Sequence, residues 1–493
     1  MLSFLRPWYA LLGLAVIALV MPIIAAPKED AGDLEVMLPN DALRRPFAEE
    51  VPMTFVSRGL NRAEWEKLPK FFNEVTEPAL NLAAGKTVER KAIRIKLPLG
   101  LNVPPPVPGE NPMTLARWEL GKKLYFDPIL SSDNTVSCAS CHSPKLGFSD
   151  ASKTSKGILG KVGGMNSPTV MNSAFNKFQF WDGRAATLEH QSQGPVGNNV
   201  EMFSGDPEDA WHAAIRRVRK SPEYAGLFEK EFGHPATRDA AAKAIATYER
   251  TVLVGNSIQD RAETAARVRA EDEETNKFDP LAKDYEKVLK EAVDARDTHA
   301  LAALGLDDAA KVPEVAKSLA NGRTLFFGKA RCNSCHVGET YTDHTFHNLG
   351  VGAKDGKLLP GQEGRFAAQP LGAKDVAMYG AFKTPPLRGL LASRPYMHDG
   401  SEKTLEEVVE FYDRGGNPNP YLDAKMRDTD AEKAFVSAKS DGKKVPDPAV
   451  FTPGGWPIIP KKLELTPQEK KDLVLFLKGL EGDPIDPLLH DTK

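Results

Sequence analysis

The stretch Val136-Ser-Cys-Ala-Ser-Cys-His-Ser-Pro144 decides the fold, together with its counterpart Arg331-Cys-Asn-Ser-Cys-His-Val-Gly338. Both contain Cys-x-x-Cys-His. Two thiols separated by two residues can reach the two vinyl groups of a haem and form thioethers. The histidine that follows then lies over the porphyrin face and ligates the iron. A single copy would also suit a redox dithiol or half of a zinc site. Two copies use all four cysteines of the 493-residue chain, so none remains for a structural disulfide. The pattern therefore reads as two covalently attached c-type haems, one on Cys138, Cys141 and His142, the other on Cys332, Cys335 and His336.

Working outward, each motif follows a similar segment. Gly121-Lys-Lys-Leu-Tyr-Phe126 precedes the first and Gly322-Arg-Thr-Leu-Phe-Phe327 the second. Both read Gly-x-x-Leu-aromatic-Phe, a weak internal repeat. The pair predicts two cytochrome c-like helical domains, each wrapped around its own haem, in a mainly α fold. Residues 111–320 form the first domain, with a charged helical insertion over 262–318, and 321–485 form the second. Residues 27–110 make an N-terminal extension, ending in the Pro-rich linker Leu97 to Pro108. Trp211 to Leu253 carries helical periods. Leu405 to Tyr412 reads as a helix capped by Thr404, with Glu407 three residues on. Residues 417–462, rich in Pro, Gly and charge, read as a long surface loop. Thr466-Pro-Gln-Glu469 starts the closing helix.

A hydrophobic share of 41% with 27% charged residues is a globular balance, and a net charge of −3 offers nothing to a nucleic-acid partner. The first 26 residues read as an export signal: Arg6, an apolar run from Trp8 to Ala26, and small residues Ala25 and Ala26 at its end. The alternative is a retained membrane anchor, because the run approaches the ~20 apolar residues a span needs. Either way the remainder is expected outside the cytoplasm, in the periplasm.

Further segments resemble one family, the bacterial dihaem cytochrome c peroxidases and their MauG-type relatives. They are LGKKLYFDPILSSDNTVSCASCHSP, NSPTVMN, FQFWDGRA, NNVEM, FHNLGVG, FKTPPLRG, RPYMHDGS, TLEEVVEFYDRGG and LTPQEKKDLVLFLKGL. Their order and spacing cover roughly 113–260 and 320–482. The extension, the insertion and the 417–462 loop lie outside the resemblance.

The resemblance implies roles by position. Trp181 is expected between the haems as an electron or hole relay; from the residues alone it reads as a core indole beside an Asp-Gly turn. Glu201 and Gln191 match the open side of the peroxide-reacting haem. Glu201 would move a proton between peroxide oxygens, Gln191 would hydrogen-bond the bound oxygen, and Pro195 would shape the pocket. By composition alone Glu201 reads as a surface carboxylate. Other family members carry a capping His in the loop before NSPT. Ile158 stands there, and no His occurs between His142 and His190, so the first haem is expected to keep one face open. Tyr412 takes the position of a far-side Met ligand to the second haem, as in MauG-type enzymes; Met397, Met378 and His347 are the alternatives. Asn166 by its side chain, and Ser393 and Pro395 by backbone oxygen, match a calcium site between the haems. His398 matches a position near the second haem. His190, His212, His234, His299 and His490 read as surface residues.

The implied activity is reduction of hydrogen peroxide at the first haem, the second haem supplying an electron through Trp181. The donor would be a small cytochrome c or a cupredoxin. A second reading is MauG-like oxidation of a protein substrate, and a third is a dihaem electron carrier without enzyme activity. Homodimers occur in the family.

Overall fold

The computed structural model describes residues 37–490; the export segment lies outside them. The internal repeat is structural as well as sequential. Leu115–Phe126 is a helix capped by Thr114, whose hydroxyl accepts from the Arg117 N–H. It crosses Arg238–Glu249, and a Cβ at Gly121 would overlap the Ala244 carbonyl oxygen. In the second half Val312–Phe327 crosses Pro467–Lys478 in the same way, with Gly322 against the Asp472 carbonyl. Glycine is required at both crossings because the backbones touch. The aromatic that follows completes the match: the Tyr125 hydroxyl donates to the His142 carbonyl at 2.7 Å, and Phe326 packs edge-on to Tyr341 at 6.0 Å. The expected caps form, with Thr404 over Leu405–Asp413 and a Thr466/Glu469 capping box over the closing helix.

The fold is mainly α, as the repeat implies, but the N-terminal extension is a sheet. Strands β1 (Met53–Val56), β2 (Phe72–Asn81) and β3 (Lys86–Lys96) lie in the order β1-β3-β2. β1 runs parallel to β3, with Met53 opposite Ile93, and β2 runs antiparallel, with Phe72 opposite Ile95. Ile93 and Ile95 enter the first-domain core, and Phe72 meets Trp118 at 5.2 Å. Alternation in Ala92-Ile-Arg-Ile95 carries this signal.

Three expectations are corrected. The Leu97–Pro108 stretch is no free linker: Leu97 and Leu101 are buried with Leu253, and Arg250 holds the Pro106 carbonyl at 2.9 Å. The 262–318 insertion is helical, but it packs on the second half. Ile258–Asp272 and Ala282–Asp294 share a core with Val312, Ala316 and Leu319, on the helix that leads into the second haem motif. That helix starts at Val312, ahead of Asn321. The 417–462 region is not an open loop either. It holds the helix Thr429–Ser440, a hairpin pairing Val450 with Ile458, and a small core of Leu422, Val450 and Ile458. Glu432, buried there, is satisfied by Arg427 at 2.7 and 2.8 Å, by the Ile459 N–H at 3.0 Å and by Trp456 at 3.2 Å.

Among the described residues no helix is long and apolar enough to cross a membrane.

Candidate functional site

In the first half Cys138–Cys141 is one helical turn, and the His142 N–H closes on the Cys138 carbonyl at 2.9 Å. The His142 Nδ1 sits 3.3 Å from the Phe148 carbonyl and 3.1 Å from the Ser167 hydroxyl, which itself donates to the Cys141 carbonyl at 2.7 Å. These contacts occupy Nδ1 and leave Nε2 as the ligating nitrogen, the second-shell arrangement of a metal-bound imidazole. The second half repeats it: His336 Nδ1 lies 2.8 Å from the Tyr341 carbonyl. Burial pushes the Cys141 thiol up to about 11 and the Cys332 thiol up to about 12. A redox dithiol would need the opposite shift. Both motifs therefore fit haem attachment.

A large apolar cavity adjoins the second motif. Its wall includes Cys332, Cys335 and His336, and also Tyr412, Met397 and His398. Burial pushes the Tyr412 phenol above its ordinary range, a shift that a metal cation on its oxygen would oppose. His347 is removed as an iron ligand. Its Nδ1 meets Asp423 at 2.7 Å and its Nε2 meets Asp343 at 2.8 Å. Burial lowers its pKa, but hydrogen bonds to Asp423, the neighbouring Cys335 sulfur and Asp343 outweigh this and raise it, and both ring nitrogens are taken by carboxylates. Cys335, Asp343 and His347 converge as a metal-binding group would. A thioether at Cys335 takes its sulfur out of that set. Met378 is not on the cavity wall; Met397 is.

Beside the first motif, Ile158 is fully buried in the apolar core, and its N–H donates to the Glu201 carbonyl at 2.9 Å. The chain thus sets an aliphatic side chain at the position where the resemblance would lead one to look for a capping imidazole. Glu201 is half-buried, not a surface carboxylate. Asn198 Nδ2 donates to its Oε1 at 2.8 Å. Burial raises its pKa, and the Arg184 charge offsets only part of that. Gln191 ends the short helix Leu188–Gln191, capped by Thr187, and Pro195 opens the turn Pro195–Gly197.

Between the halves stands Trp181. Its indole N–H donates to the Asn166 carbonyl at 2.9 Å, its own carbonyl accepts from the Lys383 N–H at 2.8 Å, and its ring meets His398 edge-on at 6.3 Å. Arg365 reaches from the second half to the Gly183 carbonyl at 2.7 Å, fixing the turn after Trp181. His398 stacks on Phe382 at 3.5 Å and contacts Gln362 at 2.6 Å; burial holds its ring neutral, lowering its pKa to about 4. The Asn166 N–H donates to the His398 carbonyl at 2.8 Å, and Asn166, Ser393 and Pro395 share the cavity wall. Asn166 Nδ2 is used on the Ser152 carbonyl at 2.7 Å, which leaves Oδ1 as its ligand atom. Among the described residues the Ser393 and Pro395 carbonyls accept no hydrogen bond. This oxygen set fits a hard cation.

Ser167 and Asn198, which position His142 and Glu201, escaped sequence reasoning although both lie inside quoted motifs. His234 is buried rather than surface-exposed, with Nδ1 2.7 Å from the Pro235 carbonyl.

Comparison with known proteins agrees with this geometry. Residues 115–267 match the family model described as di-haem cytochrome c peroxidase. The chain is 31% identical over 381 residues to a methylamine utilization protein MauG of Methylorubrum extorquens, covering 77% of this chain and 82% of that one. It is also 31% identical to a cytochrome c551 peroxidase of Pseudomonas aeruginosa, covering 73% and 86%. Among solved structures, a MauG-like protein associated with microbial copper homeostasis superposes with a TM-score of 0.55 at 25% identity, over 79% of this chain and 97% of that one. The diheme peroxidase BthA of Burkholderia thailandensis shares the fold, with a TM-score of 0.50 at 19% identity, over 80% and 92%. The chain belongs to the di-haem cytochrome c peroxidase and MauG family and is a peroxidase-type oxidoreductase carrying two c-type haems.

Proposed function

We propose that peroxide is handled on the Glu201 side of the first haem, and that this site is ready in the resting protein. The observation that carries this reading is buried, aliphatic Ile158, tied by its N–H to the Glu201 carbonyl at 2.9 Å. No side-chain donor is available at that position to close the iron. When bound, the haems supply the iron that cleaves the O–O bond and the second reducing equivalent.

The protein residues supply the rest. Glu201 Oε1 is occupied by Asn198, so Oε2 accepts the peroxide proton and returns it to the leaving oxygen. Gln191 orients the bound oxygen and Pro195 limits the pocket. Trp181 carries charge between the halves: its N–H bond leads to Asn166, whose neighbour Ser167 touches His142, and its ring borders the second cavity. Tyr412 would hold the second iron, and as an anionic oxygen donor it would favour the oxidised state. Asn166, Ser393 and Pro395 would hold a calcium ion that ties the halves together. The units are two cytochrome c-like domains, the first from about 111 to 257 and the second, with the helices from Ile258 packed on it, to about 485, working in the periplasm.

The electrons come from a small cytochrome c or cupredoxin. A MauG-like second reading, oxidation of a protein substrate, draws on the same Ile158 and Tyr412 positions. The deciding experiment mixes the as-purified ferric protein with hydrogen peroxide in a stopped-flow spectrometer, without reductant. A high-spin resting signal that responds at once supports the reading. Two low-spin haems inert until half-reduced would overturn it. Turnover with reduced cytochrome c, set against a protein-substrate pull-down, separates the two readings.

A further inference from the structure

In the FKTPPLRG segment Arg388 is paired with Asp260 at 2.7 Å, whereas the charge of Lys383 has no carboxylate partner among the described residues. It lies on the short strand Phe382–Lys383, is only 7% exposed and lines the second cavity. No carboxylate pairs with it among the described residues, and burial alone pushes its ammonium down to about 8. Desolvating a lysine without a counter-charge is costly, so an uncompensated ammonium on a cavity wall marks where an anion belongs.

A second observation points to the same place. His344 Nδ1 is buried and has no hydrogen-bond partner. Burial and the positive charges of Lys383 and Lys177 hold His344 below its usual range. A buried lysine, an orphaned imidazole nitrogen and an exposed lysine thus act on one another; the neighbouring carboxylate, Asp343, offsets only part of this and is already engaged by His347 and Lys425.

We infer that Lys383, with His344 beside it, binds a carboxylate, the propionate of the second haem. The fit is chemical and spatial. The second cavity is otherwise mainly apolar, and a c-type haem enters it with two carboxylates that need partners. The Lys383 N–H also donates to the Trp181 carbonyl at 2.8 Å. One residue therefore fixes the cofactor edge and the relay backbone together. Lys383 is a positioning residue: it sets the orientation and potential of the second haem and touches no peroxide.

The inference rests on the second haem occupying its cavity, not on the roles proposed for Glu201, Tyr412 or Ile158. Its test is a spectroelectrochemical titration of the holoenzyme, resolving both haems, for the parent, Lys383→Met and Lys383→Arg. Haem stain and pyridine haemochrome must first show two haems per chain. Loss of a fixed positive charge should lower the second haem's midpoint potential in Lys383→Met, leave the first unchanged, and be reversed in Lys383→Arg. His344→Phe should move the same haem in the same direction by less. Unchanged potentials in Lys383→Met, or a shift confined to the first haem, would overturn it. An exchangeable anion is the rival source of negative charge. If adding inorganic phosphate to the parent at constant ionic strength shifts the second haem, and Lys383→Met abolishes that response, the propionate assignment fails. If Lys383→Met does not load haem, Lys383→Gln keeps a polar donor of similar reach and is read the same way.

Discussion

The Trp181 indole N–H donates to the Asn166 carbonyl at 2.9 Å, and the next residue, Ser167, has its hydroxyl 3.1 Å from the His142 ring. One peptide step therefore separates the partner of the inter-domain indole from the support of the first iron ligand. On its other side the same indole borders the cavity of the second haem.

Trp181→Phe keeps an aromatic ring but removes the donor. Exchange between the haems should slow by about tenfold or more, equivalent to about 1.4 kcal/mol of barrier. Stability should fall by only about 1 kcal/mol, the usual worth of one hydrogen bond. Stopped-flow absorbance at the second haem reads the first effect and thermal denaturation the second; unchanged exchange removes Trp181 from the relay.

Glu201→Gln should cut the peroxide reaction by roughly 10²–10⁴-fold with both haems attached. The pH dependence has a definite sign. Glu201 must be ionised to accept a proton, and burial raises its pKa. The rate should climb with pH through a midpoint above the ordinary glutamate value of about 4.3. The Gln variant should lack that step, which a pH series of single-mixing rates will show.

Ile158→His would place a nitrogen donor on the open face. The resting high-spin ferric signal should disappear, and peroxide should react slowly until the protein is half-reduced. Electron paramagnetic resonance checks the first outcome. An unchanged high-spin signal would mean that residue 158 does not face the iron.

Tyr412→Met exchanges an anionic oxygen ligand for a thioether, which stabilises ferrous iron. The second haem's potential should rise, with a Met-ligated absorption signature in the oxidised protein. If spectrum and potential do not move, Tyr412 is not the ligand; of the alternatives on the cavity wall His347 is held by Asp423 and Asp343, which leaves Met397 as the next to test.

Chelation of calcium should lower the melting temperature and loosen the halves. A site held at about a hundredfold excess over its Kd contributes about 2.7 kcal/mol. Differential scanning calorimetry with and without chelator measures this, and Asn166→Ala should reproduce the chelated value without further response.

Much of the architecture was legible from short range. The Gly-x-x-Leu-aromatic-Phe repeat forecast two equivalent helical domains, and the structure adds that Gly121 and Gly322 lie where helix backbones touch. Thr404 and Thr466 announced their helices, because capping is a contact three residues long. The sheet of the extension and the helix Thr429–Ser440 were missed, since each is stabilised by partners far along the chain: Phe72 by Trp118, and Glu432 by Trp456 and Ile459.

The same division holds for the site. Five contiguous residues are enough to bind a haem covalently, so the sequence alone determined that there are two haems, where they attach and which histidines face them. That Trp181 meets Asn166 and His398, that Ile158 is buried against the Glu201 backbone, and that among the described residues Lys383 is left without a carboxylate and His344 Nδ1 without a hydrogen-bond partner were decided only by the tertiary structure. Those relations join segments dozens to hundreds of residues apart, and only packing and burial fix both their distances and the cost of leaving a charge unpaired.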